Sequence, residues 1–566
     1  MSFKTGFIRT RLSAMMFMQF FVWATWWVPV FTYAVKGRPF LDGSQAAWLV
    51  ATTALGAMIS PLLVGPIADR LFATERVLCV LHVVGGLCLF LAAQAESFWW
   101  LFACLMAHTL CFMPTLALAN SLTFRNIASA DLFPRIALFG SIGWVASGWI
   151  VGFGIGETSP GIFYLACAVE LLLAAYCLSL PHTPPKGEAK TMADMLGLKA
   201  VTLLKDPAFL LFVVCAFLIV IPASFYFNGC NLMLKETDRP APTALQTLGQ
   251  IIEMGVMFTM PWFISAIGLR AILAVGMAIW ALRYLFFATL SFPFIVLGLL
   301  LHGFAYVFVF VGAYIYVDKK APADLRASAQ SFIAFLMLGL GMFLGSILSG
   351  RVIDGYPPFV GSMPATRHVV LDKDGEITEL KPLEQLERAP LPEWSEIVDR
   401  LDTDGNEQIW LKELEAIREP GFQVVDETAA RGGAVKRRTI TYARKDLIRV
   451  FTKIDDHKPI RTRGDFKTAK IGEISVERAD WLAAQVHDWT PMWLWFAFVA
   501  GVICVAFAAG TLFTPDDVVA ASGDESPSPR PQPAASPESE AAAPPESAET
   551  AASIDAPMSV EDPRSD

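Results

Sequence analysis

Glu253 stands mid-way along an apolar run, Ala244–Ile267, and Gln250 precedes it by one helical turn on the same face. An ionised carboxylate at such a depth is costly, because hydrocarbon offers neither water nor counter-ion. It must line a cavity, pair with a cation or stay protonated. All three suit a carboxyl that loads and releases a proton as its exposure changes. The plainer alternative is a structural ion pair, with Arg283 of the following run as partner. Glu170 and His82, in other apolar runs, have no polar company one turn away and read as structural, as does Arg283 between Trp280 and Tyr284.

Three further stripes carry polar chemistry at helical spacing. They are Gln19, Trp23 and Trp26; His108, Phe112, Thr115 and Asn120; and His302, Tyr306 and Phe310. Aromatic faces with a few amides and imidazoles fit a planar polar solute, giving stacking surfaces and directional donors and acceptors. Ordinary helix packing is the alternative. Gly65-Pro-Ile-Ala-Asp69-Arg70, with Arg76, lies in a short turn where a carboxylate and guanidinium can pair and part, forming a gate. No nucleotide-binding or nucleophile motif is present, which argues against an enzyme.

A separate cluster lies late in the chain. Asp402, Asp404, Asn406, Gln408 and Glu413 fall at positions 1, 3, 5, 7 and 12 of a loop spaced like an EF-hand, with the position-7 ligand a backbone carbonyl. Position 6, where the turn wants glycine, is Glu407. A calcium site, weak at about 10⁻⁴–10⁻³ M and structural in role, stands against a solvated acidic turn. A paired hand is faintly visible at Phe451–Asp455 and Ile471–Arg478.

The elements that position these residues follow from composition. The 566 residues are 54% apolar and 17% charged, with net charge −9, and mean hydropathy is +0.49. The excess lies in runs of roughly 20 residues, the length that crosses about 30 Å of hydrocarbon as helix. A soluble enzyme, a secreted disulfide scaffold and a nucleic-acid binder are excluded. All nine cysteines sit in or beside apolar runs without ligand spacing and read as small hydrophobes.

Twelve spans are expected: Leu12–Val35, Ala46–Ala68, Val77–Ala95, Phe98–Thr123, Ile136–Ile155, Gly161–Leu180, Ala208–Phe227, Ala244–Ile267, Ala271–Phe292, Phe294–Val317, Ala327–Ile353 and Met492–Phe513. The first is too long for a signal-peptide core. Residues 1–180 and 208–354 form two bundles joined by a cytoplasmic linker, 181–207. An insert, 355–490, precedes the last helix, 491–513, and a disordered cytoplasmic tail, 514–566, follows it. The insert shows a hairpin candidate with a D-G turn at Val369–Thr378 and a strand candidate at Arg437–Tyr442. Arg9, Arg11, Arg70, Arg76, Arg125, Arg135, Lys319 and Lys320 crowd one set of short loops, whereas the other holds Lys36, Arg38, Lys235 and Arg239. Both termini are therefore expected in the cytoplasm and the insert outside. The halves also echo one another, Pro61–Arg70 against Pro261–Arg270 and Ala130-Asp131-Leu132 against Ala323-Asp324-Leu325, as in duplicated transporter bundles.

These residues resemble the major facilitator superfamily and, within it, the nucleoside:proton symporter family. The likeness is carried by Met18-Gln-Phe-Phe-Val-Trp-Ala-Thr-Trp26, Phe112-Met-Pro-Thr-Leu-Ala-Leu-Ala-Asn120, Phe133-Pro-Arg-Ile136 with Gly140-Ser-Ile-Gly143, Leu180-Pro-His182, Gln250-Ile-Ile-Glu253, Trp280-Ala-Leu-Arg283 and Leu325-Arg-Ala-Ser-Ala-Gln330. It implies an all-α membrane protein, a twelve-helix major facilitator bundle (6+6), here with a small extracytoplasmic α/β insert between helices 11 and 12. It further implies proton-coupled import of nucleosides across the inner membrane, with no cofactor beyond the calcium alternative and no nucleic-acid partner. Solute contacts would come from Gln19, Trp23, Thr115, Asn120, Ser141, Trp144, Gln250, Glu253, His302 and Tyr306, coupling from Glu253, and the gate from Asp69 and Arg70. The chain departs from the family where a fifth-helix arginine becomes Ala137, a seventh-helix glutamine and asparagine become Ser224 and Phe227, and a tenth-helix aspartate becomes Val307. Another polar solute such as a sugar, or a transport-dead sensor, remains the alternative.

Overall fold

Proline, glycine and polar residues punctuate the apolar runs, and each stretch between them becomes helix. The computed structural model describes residues 2–37, 41–70, 72–185, 197–356, 359–360, 368–371, 377–381, 394–403, 405–406, 408–417, 422–429, 435–442, 475–477 and 485–514, together with residues 444, 447, 448, 450, 451 and 481. The tail beyond residue 514 and the middle of the linker, 186–196, lie outside them.

Helix α1 (Ser2–Trp27) is interrupted before α2 (Val30–Lys36), because Pro29 has no N–H for the ladder. Then come α3 (Gly43–Arg70), α4 (Thr74–Ala92), α5 (Phe98–Asn126), α6 (Phe133–Ile150) and α7 (Gly161–Cys177). The second group is α8 (Pro207–Glu236), α9 (Pro242–Ile267), α10 (Leu269–Ala288), α11 (Phe292–Tyr306), α12 (Gly312–Lys320), α13 (Arg326–Ala334) and α14 (Met342–Asp354). One-turn π-helical segments, Val307–Val311 and Phe335–Gly341, join α11 to α12 and α13 to α14 without breaking either rod. A third, Val151–Ile155, extends α6. Among the described residues ten helical stretches are long and apolar enough to cross a membrane, and Gly161–Cys177 is a shorter apolar helix. Their outer faces are hydrophobic: Phe153, Phe258, Trp262 and Phe498 are exposed, as suits contact with lipid.

Beyond α14 the chain forms short antiparallel pairs. β1 (Phe359–Val360) pairs with β8 (Gln485–Val486), β2 (His368–Leu371) with β3 (Ile377–Lys381), β4 (Gln408–Trp410) with β7 (Ser475–Glu477), and β5 (Phe422–Ala429) with β6 (Val435–Tyr442). The expected hairpin at Val369–Thr378 and the expected strand at Arg437–Tyr442 thus fall on paired strands, the D-G turn itself lying outside the described residues. Helix α15 (Trp394–Leu401) precedes the acidic loop, and α16 (Trp489–Phe513) returns to the helical body. After the loop comes a 3₁₀ segment, Leu411–Ala416.

Candidate functional site

A cavity of about 270 Å³ lies between the two groups of helices, close to the lower end of the usual range for small-molecule sites, roughly 300–1,000 Å³. Helices α1, α3, α5 and α6 line one side; α8, α9, α11, the π segments and α14 line the other. Trp23, Ser141, Trp144, Gln250, Glu253, His302 and Tyr306 all reach its wall. The aromatic rings form a slot: Trp23 and Trp144 meet edge to face with centroids 5.6 Å apart, Trp27 lies 5.5 Å from Phe227 across the groups, and Tyr306 stacks on Phe310 at 4.8 Å.

Glu253 reaches this wall half-buried, with no hydrogen-bond or ion-pair partner among the described residues. The anticipated alternative of a pair with Arg283 is not what Arg283 does. Its guanidinium is fully buried, donates to Gly298 O at 3.1 Å and to His302 Nδ1 at 2.8 Å, and lies over Tyr226 at 4.0 Å. Because Arg283 has only protons to give, His302 Nδ1 accepts, and the neutral imidazole carries its proton on Nε2. Gln250 Oε1 and the indole nitrogens of Trp23 and Trp27 are buried without a partner among the described residues. The wall thus offers hydrogen-bond donors and acceptors and a carboxylate between flat aromatic faces.

Three expected contacts lie off the lining. Gln19 Nε2 donates to Thr115 Oγ1 at 2.6 Å, and both are fully buried between α1 and α5. Asn120 is exposed further along α5. His108 also turns away from the cavity. Its Nδ1 lies 3.4 Å from Glu170 Oε2, and His82 Nδ1 lies 3.3 Å from Glu170 Oε1. Glu170 and His82, which sequence spacing leaves isolated, therefore meet across three helices. The side chains of Asp69 and Arg70 lie outside the described residues.

Sequence spacing also missed Asn228 and Asn231, one turn beyond the expected end of the seventh span. Asn231 accepts from Thr32 Oγ1 at 2.7 Å and donates to Gln246 Oε1 at 2.8 Å. Other polar contacts between the two helix groups gather at that same end. Lys36 Nζ is 3.0 Å from Glu236 Oε1, whose carboxylate also accepts from the His487 and Trp489 N–H groups. Asp354 caps α3 through Gly43 N at 2.6 Å and Ser44 N at 2.8 Å. Glu157 accepts from Thr243 N and Oγ1, each at 3.1 Å. The asparagines stand in an N-G-C-N sequence whose polarity signals a buried network as readily as a helix end.

In the acidic loop, Glu413 Oε1 accepts from Thr403 N and Oγ1, and its Oε2 accepts from Trp410 N at 2.8 Å. Asp402 and Asn406 accept from Gly405 N and Gln408 N, each at 2.7 Å. These bonds hold a turn, and no cluster of three or more metal-binding side chains occurs among the described residues. Asp404 lies outside them.

Residues 7–358 match the family described as Nucleoside H+ symporter. The chain belongs to this family of proton-coupled transporters. It is 39% identical over 359 residues to a putative nucleoside transporter, YegT, of Escherichia coli (strain K12), covering 61% of this chain and 84% of that one. It is 31% identical to the xanthosine permease of the same organism, covering 61% and 88%. A crystal structure of the nucleoside transporter NupG superposes with a TM-score of 0.58 at 26% identity, covering 62% of this chain and 91% of that one. In this symporter Val307, at the departed aspartate position, is buried in an apolar cluster with Val256, Met260, Ile272 and Phe308. That leaves Glu253 as the one carboxylate among the cavity's lining residues.

Proposed function

We propose that the chain imports nucleosides with protons by alternating access, using the slot around Trp23, Trp144 and Tyr306 as the solute site and Glu253 as the coupling carboxyl. The single observation that carries this is Glu253 on the cavity wall without an internal partner. A proton on Glu253 removes an uncompensated charge from the wall and so favours solute binding, and by linkage bound solute favours the proton. The flat rings stack the base, while Gln250 and the His302 Nε2–H meet its polar edges. Gln19 and Thr115, bonded to each other between α1 and α5, lie off this lining.

Adding α3 and Gly161–Cys177 to the ten apolar stretches gives twelve spans, which we take as two bundles of six with an extracytoplasmic α/β insert before the last helix. With basic residues and both termini in the cytoplasm, the contacts of Lys36, Glu157, Glu236 and Asp354 close the outer end, so this is the inward-facing state. Asp69 and Arg70 then belong to the inner gate. The bonds taken up by Asp402, Asn406 and Glu413 favour a structural turn over a calcium loop.

Proteoliposomes test the reading. Under an inwardly directed proton gradient, uridine or xanthosine should accumulate. Glu253→Gln should abolish accumulation while leaving counterflow exchange, since the site survives but its proton does not. Undiminished accumulation in the variant would overturn the coupling role. Uptake of a sugar and of no nucleoside would overturn the solute assignment, and binding without flux would point to a sensor.

A further inference from the structure

The cluster of His82, His108 and Glu170 takes no part in the cavity, yet all three side chains are fully buried. They come from α4, α5 and α7, and a glycine makes their meeting possible. A Cβ on Gly85 would stand 2.5 Å from Glu170 Oε1 and 3.3 Å from His108 Nδ1, so only the bare backbone leaves room for the carboxylate. His108 Nδ1 also lies 3.2 Å from Gly85 O. Glu170 Oε2 and both Nε2 atoms have no hydrogen-bond partner among the described residues.

Among the described residues the surroundings supply no compensating charge. From α4, α5 and α7 the other titratable groups near Glu170 are the thiols of Cys88, Cys111 and Cys167, with Cys104 beside Cys88. Helix α1 contributes the Trp26 ring, edge-on to His108 at 5.2 Å, and residues 12–27 of α1 and 43–68 of α3 contain no ionisable side chain. A carboxylate with two neutral imidazoles therefore carries one uncompensated negative charge in an apolar setting, the least favourable state for it. One added proton makes the cluster neutral, whether it rests on Glu170 Oε2 or on an imidazole. A second would leave an uncompensated positive charge.

We propose that His82, His108 and Glu170 form a second proton-binding site, separate from Glu253, which holds one proton within the first helix group. It sits against the solute wall: Phe112 packs on His108 at 5.3 Å and on Trp23 at 6.2 Å, and Trp23 lines the cavity. Gain or loss of this proton re-orients the imidazoles beneath the ring that supports the solute slot. The site goes beyond the role given to Glu253, and its first test involves no solute.

Purified, solute-free protein in lipid nanodiscs should give, on a pH jump, an infrared carboxyl band that disappears in Glu170→Gln and persists in Glu253→Gln. His82→Gln and His108→Gln should each move the midpoint of that band. Should Glu170→Gln fail to fold, as read by size exclusion, histidine-selective ¹⁵N labelling of the unaltered protein reports the same site. Two imidazoles whose signals change together with the carboxyl band support it. A Glu170→Gln spectrum superposing on the original, or imidazoles unresponsive while only the Glu253 band moves, overturns it. In proteoliposomes the protons carried per uridine should fall by one in Glu170→Gln, and an unchanged ratio would deny the site a place in coupling. Absence of uridine flux in the unaltered protein would count against the solute assignment while leaving the infrared result standing.

Discussion

The cavity wall holds polar atoms that the protein itself leaves without partners, and these determine what the site prefers. Gln250 Oε1 and the indole N–H groups of Trp23 and Trp27 each lack a bond, and a buried polar atom so placed is destabilised by about 1–3 kcal/mol until something meets it. A solute with donors and acceptors around a flat ring meets them; a purely apolar one does not. Removing one stacking face should weaken binding by about 1–3 kcal/mol, roughly 5–150-fold. Trp144→Ala, titrated with uridine by calorimetry, is expected in that range, whereas Trp144→Phe should stay within a few-fold. Affinity unchanged by the alanine would remove Trp144 from the site. Glu253, Gln250, His302 and Tyr306 were legible in the sequence because a polar group at helical spacing inside an apolar run has few places to go. Gln19 and Thr115 were not, since spacing tells which residues share a face and not which way that face turns. The triad was harder still: His82 and Glu170 lie 88 residues apart, and no local pattern links residues on different helices.

At the scale of elements, α9 and α11 approach closely enough to carry Glu253 and His302 on one wall, and two glycines allow it. A Cβ on Gly303 would stand 2.7 Å from Ile252 C and 2.9 Å from Glu253 Cα, and one on Gly249 would meet His302 Cβ at 2.8 Å. Backbone cannot yield as a side-chain tip can, so Gly303→Val should push the helices apart, at a cost of about 1–3 kcal/mol. It should impair proton-driven accumulation as well as thermal stability; a variant normal in both would show the approach to be incidental. At the start of α8, partial burial alone would raise the Asp206 carboxyl. The Lys320 ammonium at 3.0 Å and the Ala208 N–H at 2.9 Å outweigh burial and hold it below its ordinary value. A folded value below the unfolded one, about 3.9, contributes stability above that pH and loses it as pH falls through the lower folded value. The difference in melting temperature between the protein and Asp206→Asn should therefore be full at pH 6 and shrink below about pH 4; a constant difference would deny the pairing. Span positions were plain from apolar run length, because hydrocarbon thickness sets them. The end of α8 was misplaced at Phe227, since Asn228 and Asn231 resemble a helix end until their partners on other helices are known. The π segments left no trace in composition.

For the whole molecule, the question is what holds one end shut. Three carboxylates do so from different corners: Glu236 between Lys36 and the His487–Trp489 backbone and indole, Asp354 on the first turn of α3, and Glu157 on Thr243. Glu236 is the most consequential, because Lys36 and Glu236 are both buried and the chain leaving the insert is bonded to the same carboxylate. In the proposed orientation this is the outer end, and opening it must break this network, so its strength sets the balance between inward- and outward-facing states. Removing one member of a buried charge pair typically destabilises by about 3–5 kcal/mol, enough to move a two-state equilibrium by two to nearly four orders of magnitude, roughly 10²–10⁴-fold. Glu236→Ala should therefore populate the outward-open state. Ser346 lines the cavity on α14, and a cysteine placed there should react with a membrane-impermeant maleimide added outside far faster when Glu236 is alanine. Asp354→Asn should act in the same direction but less strongly, because the amide oxygen still accepts from Gly43 N. Uptake at saturating uridine should fall in Glu236→Ala, since a carrier that favours one face returns slowly from it. Labelling from outside that stays as slow as in the parent would show that the outer end is closed by helix packing, and that these carboxylates only decorate it.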